Sequence, residues 1–183
     1  MSPQSASVPT IPARLTIAEF AAATERSVAE VQAILEDQSE SFGEVEMLDP
    51  EVSRSLARAL GVEINLEPRD LALETLYELE TRGDDEHDAL DGRAERLVAG
   101  VLEHREDLDH EIESASDHWS VARMPVIDRS ILRIGLFELR YEKGLPTAVI
   151  VAEAVRLART YSTERSGSFV NGVLASLARS SRP

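Results

Sequence analysis

From Thr16 onward, apolar residues recur at helical spacing with polar residues between them. Ile17, Phe20 and Ala21 mark a first short helix, and Ser27 is placed to cap a second that carries Val28, Val31 and Leu35. Asp49-Pro50-Glu51 starts a third, with Asp as the cap, Pro at the first helical position and Glu facing the positive end of the dipole. Val52, Leu56 and Leu60 then repeat every four residues up to Gly61. The pattern predicts a small three-helix module over residues 14–62. Residues 1–13 are rich in Ser and Pro and are expected to form a flexible tail, while Gly61 to Glu67 reads as a joint.

Pro68 opens the next predicted helix, with Leu73, Leu76, Tyr77 and Leu79 as its apolar positions and Gly83 as its stop. Leu90, Leu97, Val101, Leu108 and Ile112 predict one long helix whose remaining surface is acidic. Beyond Pro125, Ile127, Ile131 and Ile134 join Leu132, Leu136 and Leu139 on two adjoining faces, so this helix belongs at the centre of a core. After the turn Lys143-Gly-Leu-Pro146, the series Val149, Ala152, Val155 and Ala158 predicts a helix with small residues on its packing face. A last helix carries Phe169, Val170, Val173, Leu174 and Leu177. Alternating β patterns are absent. The predicted fold class is all-α: a helical bundle of two subdomains over 68–179, preceded by the small module.

Charge changes the picture. The 183 residues hold 19 Lys+Arg against 34 Asp+Glu, a net charge of −15. That balance argues against a nonspecific polyanion binder. The distribution is uneven, however: −7 over residues 1–66, −13 over 67–120 and +5 over 121–183. The last third is a basic segment in an acidic chain. Zero cysteines exclude disulfides, thiolate metal sites and Cys nucleophiles. No apolar run reaches the roughly 18–20 residues that span a bilayer, and the N-terminus lacks the features of a secretory signal. A cytoplasmic protein with no membrane partner is expected.

Candidate chemistry is sparse. No phosphate-binding glycine loop or nucleophile elbow is present. His87, His104, His110 and His118 lack the spacing of a helical metal pair and read as solvated surface residues, so neither a metal nor a cofactor is expected. The arginines are more informative. Arg129, Arg133 and Arg140 share one helix face, and Arg156 and Arg159 share another on the next helix. Their planar donor forks suit phosphates and base edges. The competing reading is that they pair with the acidic middle helices. Arg133 stands between apolar neighbours, which predicts a half-buried stem.

Four motifs carry a family resemblance: Asp117-His-Trp-Ser-Val-Ala-Arg-Met-Pro-Val-Ile-Asp-Arg-Ser-Ile-Leu-Arg133, Phe137-Glu-Leu139, Val151-Ala-Glu-Ala-Val-Arg-Leu-Ala158 and Phe169-Val-Asn-Gly-Val-Leu174. With Ala72-Leu-Glu-Thr-Leu-Tyr77, they strongly resemble the NusB family of transcription antitermination factors from about Pro68 to Arg179. The resemblance implies a nonenzymatic factor that binds boxA-type RNA of ribosomal RNA operons. It implies ribosomal protein NusE as partner, within an RNA polymerase antitermination complex. Carried over by position, the RNA face comprises Arg69, Tyr77, Asp128, Arg129, Arg133, Phe169 and Asn171. Tyr77 would stack a base, and Asp128 would accept from a base amine or orient an arginine.

By their positions alone, Phe169 reads as core, Asn171 as a helix–helix hydrogen-bonder and Gly172 as a point of close helix approach. Relatives carry an arginine-rich stretch where this chain reads Glu63-Ile-Asn-Leu-Glu-Pro-Arg69, and an Asn where it has Ala152 beside Glu153. Fewer phosphate contacts imply weaker RNA affinity without a partner. The alternative is a paralogue that acts only as a protein-interaction module. Residues 15–61 resemble the N-terminal helical module of bacterial translation initiation factor two, through Thr16-Ile-Ala-Glu-Phe-Ala-Ala-Ala, Ser27-Val-Ala-Glu-Val and Asp49-Pro-Glu-Val.

Overall fold

The structure is a computed structural model that describes residues 8–37, 47–83, 86, 87, 89, 90, 92–116 and 119–180. Of the features read from sequence, residues 1–7 of the expected tail and His118 lie outside the described residues. The described residues up to Leu71 form one compact unit and those from Ala72 form a second.

In the first unit, short polar side chains start each helix. Thr16 caps α1 (Ile17–Ala23): Glu19 N–H donates to its hydroxyl, and Thr16 N–H donates to the Glu19 carboxylate at 2.8 Å. Ser27 and Glu30 repeat this reciprocal arrangement ahead of α2 (Val28–Asp37). The Ser27 backbone and hydroxyl donors hold the Glu30 carboxyl below its ordinary pKa. Asp49 accepts from Val52 N–H at 2.8 Å to start α3 (Pro50–Leu60), and Gly61 ends that helix in the left-handed conformation at φ 64°. Leu15, Phe20, Leu35, Leu48 and Leu56 form the buried centre of the unit.

Two strand pairs frame these helices. β1 (Thr10–Ile11) runs parallel to β4 (Asn65–Leu66), and β2 (Leu15–Thr16) runs antiparallel to β3 (Met47–Leu48). The tail expected over residues 1–13 is therefore built into the unit from Thr10, and Ile11 and Ala13 are buried. Asn65 N–H donates to the Pro9 carbonyl at 2.8 Å and Glu67 N–H to the Ile11 carbonyl at 2.7 Å. Ser/Pro composition excludes a helix here, but it leaves two residues free to pair as a strand. The expected joint supplies the partner.

The helices of the second unit are α4 (Pro68–Arg82, which begins in the first unit), α5 (Gly92–Glu103), α6 (Arg105–Ala115), α7 (Val126–Tyr141), α8 (Thr147–Tyr161) and α9 (Ser166–Ser180). As its two apolar faces predict, α7 is central and packs against α5, α6, α8 and α9. Every residue from Ser130 to Glu138 is buried. Gly100 lets α5 seat the Phe137 ring, because a Cβ there would lie 2.1 Å from Phe137 Cζ. Gly135 is crowded in the same way by Leu174, at 2.8 Å.

Four expectations change here. The long helix is two, divided at His104 (φ −104°, ψ 15°). Backbone hydrogen bonds still cross the break, since His104 N–H reaches the Gly100 carbonyl at 3.1 Å and Leu108 N–H the His104 carbonyl at 3.0 Å. The bend lets both halves lie on α7. It also stacks the half-buried His104 ring on Tyr141, with centroids 4.3 Å apart, so this histidine is not a solvated surface residue.

On α8 the packing face is Ile150, Ala154, Leu157 and Ala158, while Val149 and Ala152 are exposed. A strict three-residue repeat drifts about 60° per step around a helix, and only its last member reaches the core. Gly172, finally, is exposed, and a Cβ there would meet nothing within 4 Å. The close helix approaches are made at Gly100 and Gly135 instead.

Candidate nucleic-acid interface

The central helix carries its arginines inward to carboxylates. Arg133 is only 8% exposed; its Nε and Nη2 donate to the two Asp109 oxygens at 2.7 and 2.8 Å, and its Nη1 donates to Glu80 at 3.2 Å. Burial opposes the Arg133 charge, but hydrogen bonds and charge from Asp109 and Glu80 outweigh it and raise its pKa. Arg129 shares Glu80 at 2.5 Å, and it also donates to the carbonyls of Met124 at 3.0 Å and Ala122 at 3.3 Å. Arg140 pairs with Glu111, and Arg93 with the buried Glu138. Arg156 pairs with Glu153 one turn away at 3.0 Å. Pairing with carboxylates is what the structure shows for Arg129, Arg133 and Arg140.

The other sequence-predicted residues divide between inside and outside. Asp128 is 4% exposed and accepts from Ser162 at 2.5 Å and Ser166 at 2.9 Å, which fixes the turn between α8 and α9. Arg69 is buried in the first unit, with Glu67 3.6 Å away. Tyr77 is 41% exposed on α4. Asn171 is exposed and makes no hydrogen bond with its side chain among the described residues, so it does not join two helices. Phe169 is half-buried at the edge of the core rather than within it.

The structure brings Phe169 together with Trp119, a residue to which sequence reasoning gave no role. The two rings meet edge to face, with centroids 5.9 Å apart and an interplanar angle of 64°. Trp119 is 55% exposed. A signal was available: it is the chain's only tryptophan and stands in the longest of the recognisable motifs. Glu80 and Asp109 were missed because acidic residues crowd that third of the sequence and nothing singles these two out.

Residues 66–179 match the model of the NusB family. The transcription antitermination protein NusB of Arthrobacter sp. (strain FB24) is 42% identical over 120 residues, covering 60% of this chain and 88% of that protein. Among solved structures, T. maritima NusB superposes with a TM-score of 0.57 at 33% identity, over 63% of this chain and 91% of the other. A structure of antitermination factors NusB and NusE in complex with dsRNA gives 0.54 at 28% identity, over 62% and 94%. Among the described residues, no helix is long and apolar enough to cross a membrane.

Proposed function

This chain belongs to the NusB family, and from that premise we propose that it is a nonenzymatic transcription antitermination factor of the cytoplasm. In this reading it binds boxA-type RNA of ribosomal RNA operons together with ribosomal protein NusE, within the RNA polymerase antitermination complex. The observation that carries the reading is the likeness, over nearly the whole of the other chain, to a NusB that was solved with NusE and dsRNA.

Tyr77, Phe169 and Asn171 are the proposed contact residues, since each presents surface on the second unit. Asp128, Arg129 and Arg133 act as positioning residues: they hold α4, α6, α7 and the α8–α9 turn in place. Arg69, buried beside Glu67 in the first unit, is proposed as a positioning residue at the place where relatives have several arginines. Residues 14–62 are proposed as a docking module similar to that of translation initiation factor two, and the −7 charge over residues 1–66 favours a protein partner over bare RNA.

The engagement of Arg129 and Arg133 by carboxylates favours one further reading, a paralogue that binds protein alone. A gel shift with boxA-like RNA, with and without NusE at two salt concentrations, separates the two. Weak binding alone and at least tenfold tightening by NusE, equivalent to about 1.4 kcal/mol, are expected. Absence of binding in both arms would leave the protein-only reading standing.

A further inference from the structure

Glu67 joins a strand pair, a helix and an arginine. Its backbone N–H donates to the Ile11 carbonyl at 2.7 Å, which ties it to β1. Its own carbonyl accepts from Leu71 N–H at 3.1 Å and so starts α4. Its carboxylate stands 3.6 Å from Arg69 Nη1. The first turn of α4 and the arginine on it therefore hang on a contact made by Thr10 and Ile11.

That contact is small for what it holds. β1 has two residues, set between Pro9 and Pro12, and pairs Thr10 with Asn65 and Ile11 with Leu66. A strand this short near a chain terminus opens locally at far lower cost than the helices behind it. What lies behind it is a charge. Arg14, Arg26, Arg54 and Arg58 are exposed, whereas Arg69 is only 6% exposed and Asp70 beside it 1%. Among the described residues of the first unit, Arg69 is thus the one arginine withheld from solvent. A guanidinium gives up hydration on burial, and opening the cover returns it. Arg69 is also the only cation from Ala59 to Thr81, a stretch that includes the proposed contact Tyr77.

We infer that the β1–β4 pairing is a latch on the start of α4, which keeps Arg69 from RNA while closed and releases it to a phosphate when open. This adds regulation to the RNA-binding reading and rests on it. In the closed unit Arg69 positions the first turn of α4. In the open one it supplies a backbone contact, and RNA draws the equilibrium toward that state.

The absence of cysteine makes the latch testable in the full chain. Thr10 and Asn65 are register partners and both exposed, so Thr10→Cys with Asn65→Cys places two thiols to bridge on oxidation. Anisotropy titrations with single-stranded boxA-like RNA, in the presence of a NusE lacking cysteine, compare the oxidised and reduced forms at several salt concentrations. The reduced form should bind about threefold tighter, and its log affinity should fall more steeply with log salt by about 0.7, as one added phosphate contact on a single strand requires. Asn65→Pro, which removes the donor to the Pro9 carbonyl, should bind tighter still. Arg69→Gln, with the helical circular-dichroism signal retained, should erase the differences among all three. Equal affinity and equal salt slope in the oxidised and reduced forms would overturn the latch while leaving RNA binding intact. Tighter binding by the oxidised form would overturn it as well, by making the closed unit the RNA-competent one. Thiols that fail to bridge would deny the pairing itself. No RNA binding by any form would overturn both the latch and the RNA reading.

Discussion

Replacing Arg133 by alanine removes the cation that Asp109 and Glu80 share, and leaves both carboxylates beside α7 without it. Deleting one member of a buried ion pair costs about 3–5 kcal/mol. Here the two acidic side chains keep 28% and 26% of their surface open, so water recovers part of that loss. A cost of about 2–3 kcal/mol follows, which for a unit of this size lowers the melting temperature by about 8–12 °C. Arg133→Lys should fall between the two proteins, because an ammonium keeps the charge but not the two-pronged contact with Asp109.

The assay is urea unfolding followed by helical circular dichroism at neutral pH, with Asp109→Ala and the double variant completing a cycle. The double variant should lose less than the sum of the single ones, since the second deletion removes a carboxylate already stranded by the first. If Arg133→Ala costs under about 0.5 kcal/mol, the pairing described here does not support α7, and Arg133 returns to being an available RNA contact.

Further outcomes follow from single sites. Ile131→Ala, fully buried on α7, should cost about 2–5 kcal/mol through the cavity it leaves, read in the same unfolding assay. Gly172→Ala should raise stability by about 0.5–1 kcal/mol, because its methyl meets nothing, whereas Gly100→Ala should lower it by about 1–3 kcal/mol as Phe137 is displaced; paired thermal melts check both signs. Glu30, held below its ordinary pKa by the Ser27 donors, contributes to α2 at all pH values above the unfolded carboxylate range. That contribution is lost as pH falls through the lowered folded value. A carboxyl-carbon NMR titration in which Glu30 moves at or above the ordinary value would contradict the reciprocal cap.

Local signals were the legible ones. Ser27, Asp49 and Pro50 start their helices as read, because capping depends on neighbours within four residues. Two apolar faces correctly put α7 at the centre. What was not legible depended on distant partners. The break at His104 carries no proline or glycine of its own and follows from laying α5 and α6 on one helix. The α8 face was misplaced by counting in threes where burial runs through Ile150, Ala154, Leu157 and Ala158. Arg129 and Arg133 were seen to share a face, but only folding selects Glu80 and Asp109 from an acidic third of the chain. Trp119 meets Phe169 across fifty residues of sequence, beyond the reach of any spacing rule.

The parallel pair of β1 and β4 has a consequence for synthesis. Thr10 and Ile11 leave the ribosome more than fifty residues ahead of the strand they pair with. At about 5–20 residues per second, that is a delay of several seconds during which Ile11 has no partner strand. The helices in between can cap and coil as they emerge, since their start signals are local. Closing the ring falls to Asn65 and Leu66, the residues just ahead of α4. The N-terminal unit is therefore completed only as the first helix of the second begins to be made.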